Sequence, residues 1–247
     1  MSIGSIKENL SLEKRVAITP ETAKNIIALG LNIALEKNYA IHLNLSDKQY
    51  EILGVKFYDS PSEVINNSKL LLKVNCPTEE EIQTLKEKTI LVGIFNPTKS
   101  ENKFKEILKK NINIFSLELL PRISRAQSMD VLSSQSNLAG YRAVIESIYE
   151  FEKAIPMMMT AAGTVPAARV LVIGAGVAGL QAIATAKRLG AVVSATDVRA
   201  ASKEQVESLG GKFLTVEQEE NLETAGGYAK EASEEFKKKQ ADLLKEA

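Results

Sequence analysis

Gly174, Gly176 and Gly179 stand in the order G-x-G-x-x-G inside the run RVLVIGAGVAGLQAIATAKRLGAVVSATDVR, residues 169 to 199. Glycines at that spacing do separate jobs. The first permits a tight turn, the second lets a pyrophosphate approach the backbone, and the third lets a following helix lie close to the strand before it. The start of that helix would present amides and the positive end of its dipole to an anion, and Val177 in its first turn would meet a ligand mainly through its backbone. Asp197 lies eighteen residues beyond Gly179, at the end of the next β-rich run. There a carboxylate can accept hydrogen bonds from the hydroxyls of an adenosine ribose and repel a 2′-phosphate, so NAD(H) is expected over NADP(H). Val198 and Arg199, next along the chain, are expected to contact the cofactor with it, Arg199 being the cation placed to oppose that preference.

Other chemistry is sparse. A single cysteine, Cys76, and a single histidine, His42, exclude an internal disulfide framework and a Cys/His zinc site within the chain. Thirty-one Lys and Arg balance thirty-one Asp and Glu, so there is no positive excess of the kind that draws nucleic acid. With 45% hydrophobic and 25% charged residues over 247 positions, the composition is that of a folded globular chain of one large or two modest domains. Apolar runs break within about ten residues, short of the roughly twenty that span a bilayer, so the chain reads as soluble and not inserted in a membrane.

The elements that must carry the motif are well punctuated. Strands are expected at Ile3 to Lys7, Leu31 to Glu36, Val55 to Tyr58, Leu70 to Val74, Thr89 to Phe95 and Ile112 to Leu119. Thr19-Pro20-Glu21 opens a helix that stops at Gly30, and Ser60 to Glu63 and Thr78 to Glu81 are capping boxes that open two more. A lysine-rich helix lies between the last two strands. Strand and helix in alternation mean parallel strands with crossover helices, hence an open α/β sheet over residues 1–130.

Apolar residues at helical spacing from Leu132 to about Phe151 predict a long linking helix, and Pro156 to Pro166 a loop, with 131–168 as the link. The three methionines 157–159 are either buried gap-fillers or a soft contact surface, burial being the expectation. A second α/β unit over 169–247 begins with a buried strand, Val170 to Ile173, and continues with strands near 193 and 213 and a terminal helix from Gly226 to Ala247, which pairs Glu234 with Lys238 and Glu235 with Lys239. A complete dinucleotide domain has about six strands. Two open, mostly parallel α/β domains are expected, the second an incomplete Rossmann fold, in a chain that is truncated or completed by another polypeptide.

Over essentially its whole length the sequence resembles the NAD(H)-binding alpha component of the proton-translocating NAD(P) transhydrogenase family, related to alanine dehydrogenase. The resemblance is carried by LEKRVAITPE (12 to 21), LLLKVNCP (70 to 77), PRISRAQSMDVLSSQSNLAGYRAV (121 to 144), the glycine-rich segment, KEQVESLGGKF (203 to 213) and AGGYAKE (225 to 231). It implies hydride transfer between NADH and NADP⁺ coupled to proton movement, with NAD(H) in a cleft between two domains. It also implies a dimer, a partner component that binds NADP(H), a membrane-spanning component, and a place on the cytoplasmic face of the inner membrane. By the same resemblance Arg122, Gln127 and Asp130 hold the nicotinamide and its ribose, Ile123, Ser124 and Arg125 add contacts from the same loop, and Gly226, Gly227 and Tyr228 belong to a loop that closes over the cofactor. Hydride transfer between two nicotinamides asks for alignment rather than a proton acceptor.

Two alternatives stay open. An alanine dehydrogenase would use Arg15 and Lys73 on the substrate, but the histidine of that family, expected just after the strand Thr89 to Phe95, is replaced by Phe95-Asn96-Pro97, and His42 reads as an ordinary loop residue. Under the transhydrogenase reading Arg15 and Lys73 become ion-pair partners. The second alternative is a nucleotide-binding fragment without turnover.

Overall fold

A computed structural model describes residues 2–121, 123–199, 201–215 and 233–246. The chain divides into two compact units, Met1–Asp130 and Val131–Ala247.

In the first unit six parallel strands, β1 (Ser2–Ser5), β2 (Asn32–Glu36), β3 (Lys56–Tyr58), β4 (Leu70–Leu72), β5 (Ile90–Gly93) and β6 (Asn113–Ser116), take the order β3-β2-β1-β4-β5-β6. Between them run α1 (Pro20–Ala28), α2 (Asp47–Glu51), α3 (Pro61–Asn66), α4 (Glu79–Thr84) and α5 (Glu101–Lys109). Alternate residues of β2 show how the sheet is clothed: Ile33 and Leu35 join a core with Ile18, Tyr39 and Tyr50, while Ala34 joins another with Ile65, Leu71, Leu91 and Ile107. Both faces are covered, as a doubly wound parallel sheet requires. The strands are shorter than the apolar runs that announce them. β1 ends before Ile6, and 117–119 turn into a 3₁₀ helix rather than extending β6.

The caps follow the sequence with one change. Thr78 Oγ1 accepts from the Glu81 amide at 3.2 Å, and the Glu81 carboxylate accepts from the Thr78 amide at 2.9 Å. At α3 the Ser60 hydroxyl accepts from the Glu63 amide, but Glu63 reaches past the cap to the Asp59 amide, so only half the box closes at Ser60. Glu81 also serves a buried cation. Both its oxygens lie 2.9 Å from Nζ of Lys73, whose side chain is only 3% exposed, with Glu8 at 3.8 Å. Burial pushes the Glu8 carboxyl up; Lys73 and the Val74 and Asn75 amides offset this only in part.

The second unit contains α6 (Val131–Phe151), β7 (Met158–Thr160), β8 (Gly163–Val165), β9 (Arg169–Ile173), α7 (Val177–Arg188), β10 (Val192–Thr196), α8 (Ser202–Ser208), β11 (Lys212–Phe213) and α9 (Glu234–Glu246). β9, β10 and β11 are parallel in the order β11-β10-β9, the arrangement of β1, β2 and β3 in the first unit. The helix expected to link the domains belongs to this unit, where α6 lies along α7 and shares a core of Val144, Ile183, Ala186, Val193, Ala195 and Val206. Residues 216–232 lie outside the described residues, and with them the expected start of the last helix.

Three expectations for this unit are corrected. The segment read as a loop contains an antiparallel hairpin, β7 paired with β8. Its methionines are not core: Met157, Met158 and Met159 are 60%, 50% and 74% exposed and take no part in the cluster built around Ile183 and Val193. β9 is not buried on both sides either. Val170 and Val172 pack on the core, whereas Ile173 is 70% exposed, since helices cover one face of the strand.

A mid-helix glycine fixes the approach of α6 to α7. A Cβ added at Gly140 would stand 2.0 Å from the Ala178 carbonyl oxygen, in the first turn of α7. Backbone cannot yield as a flexible side chain does, so Gly140→Ala is expected to cost about 1–3 kcal/mol, read by denaturant unfolding. A neutral result would show that α6 can withdraw freely. Lys73→Ala, which leaves Glu8 and Glu81 buried without their cation, is expected to cost about 3–5 kcal/mol, and adding Glu81→Gln should recover part of the loss.

Candidate functional site

The glycine motif folds as its spacing demands. β9 ends at Ile173, and Gly174 turns the chain at φ +94°, a conformation that side chains disfavour, while its amide donates to the Thr196 carbonyl at 2.8 Å. Gly179 sits so close beneath the turn that a Cβ there would be 1.8 Å from the Gly174 oxygen. Gly176 is different. The nearest atom to a Cβ on it would be Nη2 of Arg199 at 3.9 Å, so the turn is open at the position where a phosphate would approach. Gly176 is also the N-cap of α7 and brings no capping side chain to its amides. Val177 is the first residue of α7 and is 41% exposed.

Asp197 reaches back into this turn. Its Oδ2 accepts from the Ala175 amide at 2.6 Å and from Nη2 of Arg199 at 2.9 Å; its Oδ1 accepts from the Arg199 amide at 2.8 Å and from Nε of Arg199 at 2.9 Å. Burial alone would raise the carboxyl, but the Arg199 side chain and the two amides outweigh it and hold the group below the usual carboxylate range. Val198 is half-buried at the bend between the two charges. Asp197 follows β10 directly, at the strand end where its spacing put it. Spacing gave no sign that the Ala175 amide would be taken by the carboxylate, because a backbone donor has no letter of its own.

The loop residues lie at the end of the first unit, after β6. Ile123 donates its amide to Pro121 and is 55% exposed; Ser124–Met129 form a 3₁₀ helix; Arg125 and Gln127 are exposed around the buried Ala126. The Asp130 amide donates to the Gln127 carbonyl at 3.3 Å, so these two candidates share one turn. Arg122, Gly226, Gly227 and Tyr228 lie outside the described residues. Gly140, by contrast, is a residue that motif reading passed over. A glycine inside a long helix, where it costs about 1 kcal/mol against alanine, is the sequence signal for such close packing.

The groups an amino-acid dehydrogenase would use are otherwise engaged. Arg15 holds Glu13 through Nε at 2.8 Å and Nη2 at 2.7 Å, and Lys73 holds Glu81 and Glu8. In the segment Phe95-Asn96-Pro97, where that family's histidine was expected, Asn96 takes φ +49°, and its amide and that of Phe95 donate to Glu118. His42 is half-buried and donates through Nε2 to the Lys14 carbonyl at 2.7 Å. Among the described residues no cluster of His, Cys, Asp and Glu could hold a metal, and no helix is long and apolar enough to cross a membrane.

The chain is 52% identical over 254 aligned residues to the first part of the NAD(P) transhydrogenase alpha subunit of Rhodospirillum rubrum, an alignment that covers all of this chain and 66% of that protein. A crystal structure of transhydrogenase from Sinorhizobium meliloti superposes with a TM-score of 0.83 at 47% identity, over 87% of this chain and 64% of that one. An alanine dehydrogenase from Methanococcus maripaludis is 27% identical over 87% of this chain and 58% of its own. The chain thus spans less than two thirds of each of these proteins. The family model for the alanine dehydrogenase/PNT N-terminal domain matches residues 4–139 and that for the C-terminal domain residues 143–246, so the chain belongs to the alanine dehydrogenase/PNT family.

Proposed function

We propose that the chain is the NAD(H)-binding component of a transhydrogenase, in which hydride passes between NADH and an NADP⁺ held by a separate component, coupled to proton movement through a membrane-spanning one. The observation that carries this is the glycine-rich turn: Gly174 at a positive φ, an open Gly176 and an uncapped start of α7, with a carboxylate at the end of the neighbouring strand. Space at Gly176 and the amides that open α7 support a dinucleotide there, and the Asp197 carboxylate stands at the strand end, its oxygens held in this structure by Arg199 and two amides.

In this reading the α7 amides hold the pyrophosphate and Asp197 the adenosine ribose, with Val177 and Val198 alongside. Arg122, Gln127 and Asp130 orient the carboxamide and nicotinamide ribose, helped by Ile123, Ser124 and Arg125, and the segment with Gly227 and Tyr228 closes over the site. The bound cofactor supplies the hydride. The protein's part is alignment and exclusion of water, which is why a site without histidine or cysteine is adequate. Partner subunits, dimer formation and a peripheral position at the membrane belong to the same proposal.

Alanine dehydrogenase is the weaker reading. Its chemistry needs a proton acceptor and a free cation for the substrate carboxylate, and here Arg15 and Lys73 are held by Glu13 and Glu81.

Titration of the purified chain with NADH, followed by nucleotide fluorescence, tests the site: saturation in the micromolar range supports the proposal, and no saturation below millimolar nucleotide would refute it. Asp197→Ala should weaken NADH binding by about 1–3 kcal/mol, the loss of an acceptor from a site built for hydroxyls. With the NADP(H) component and its membrane partner added, Gln127→Ala should lower the hydride-transfer rate more than NADH affinity, because alignment acts mainly at the transition state. Alanine with NAD⁺ should yield no NADH, and alanine-dependent reduction would favour the dehydrogenase instead.

A further inference from the structure

Asp197 is saturated. Each of its two oxygens already accepts two hydrogen bonds, and of the four donors one is the Ala175 amide, one the Arg199 amide and two are the Nε and Nη2 of the Arg199 fork. The two amides are fixed by the backbone. Only the guanidinium can leave, so ribose hydroxyls reach this carboxylate where the Arg199 side chain gives way. The pair is also largely screened from water, with side chains 6% and 19% exposed, so it is not the loose surface ion pair whose strength is negligible.

We propose that Arg199 is a specificity-determining residue that competes with the adenosine ribose for Asp197 and blunts the exclusion of a 2′-phosphate. The proposal rests on the dinucleotide reading given above and deepens it. Two effects act in one direction. While seated, the guanidinium withholds acceptors from a ribose 2′-hydroxyl, which disfavours NADH. It also neutralises the Asp197 charge, which would repel a 2′-phosphate, and offers a forked donor to that phosphate, which favours NADPH. The position of Nη2, 3.9 Å from where a Cβ on Gly176 would stand, puts this cation at the open side of the turn rather than out in solvent.

Removing the fork should therefore sharpen selection. The Kd for NADH and for NADPH would be measured by calorimetry on the full chain for the parent, Arg199→Ala, Arg199→Lys and Asp197→Ala, with thermal melting as a check of folding. In Arg199→Ala the ratio of the NADPH to the NADH Kd is expected to widen by about tenfold, the scale of one charge-assisted hydrogen bond exchanged. Arg199→Lys keeps the charge without the fork and should fall between. A merely structural arginine would weaken both nucleotides alike and leave the ratio where it was. An unchanged or narrowed ratio in both Arg199 variants, with NADH still bound, overturns this assignment alone, whereas a parent chain that binds neither nucleotide overturns the dinucleotide reading as well.

Discussion

Backbone touching backbone is the constraint on which the second unit depends. The Gly174 carbonyl meets Gly179 from one side of α7, and the Ala178 carbonyl meets Gly140 of α6 from the other, each at a distance that leaves no room for a methyl group. The first turn of α7 is thus clamped between a strand end and a second helix, and its uncapped amides are held in one place. A helix N-terminus binds an anion well only if its amides need not be gathered first. The clamp does that gathering during folding, with the α6–α7 core behind it.

The first unit solves a different problem with the same topology. Its six strands put β1 beside β4, the point where the winding of the sheet reverses and where α/β folds commonly bind ligands. Lys73, at the exit of β4, and Glu8, beyond β1, occupy that point, joined by Glu81 from α4. The three form a largely buried ion-pair cluster on the wall of a cavity that Asn75, Cys76 and Lys103 also line. Glu81 ties the cluster to the cap of α4, so the charge arrangement and the start of the helix stand or fall together.

Much of this was legible in the residue order. Helix starts were, because Thr19, Ser60 and Thr78 declare them by side-chain chemistry that acts within four residues. Two of the three motif glycines were, because Gly174 takes a positive φ and Gly179 leaves no room for a Cβ, each a local steric demand. Strand lengths were less so. A run such as Ile112 to Leu119 shows which residues are apolar, but a strand ends where its neighbour ends, and β5 stops at Gly93. The hairpin of Met158–Thr160 and Gly163–Val165 and the exposure of its methionines were not legible, since apolarity states what a side chain avoids and not whether the fold lets it. Neither was the saturation of Asp197, which depends on an amide and on one arginine rotamer.

The exposed methionines also decide where oxidative damage falls. Conversion of a methionine to its sulfoxide makes an apolar side chain polar, and in a packed interior that disrupts the core. Met157, Met158 and Met159 lie outside the cluster built around Ile183 and Val193, on a hairpin the core does not enclose. Oxidants in solution would meet them before anything the second unit needs for its stability, and the chemical scar would stay on the surface while the glycine turn, built from amides and carbonyls that peroxide does not attack, kept its shape.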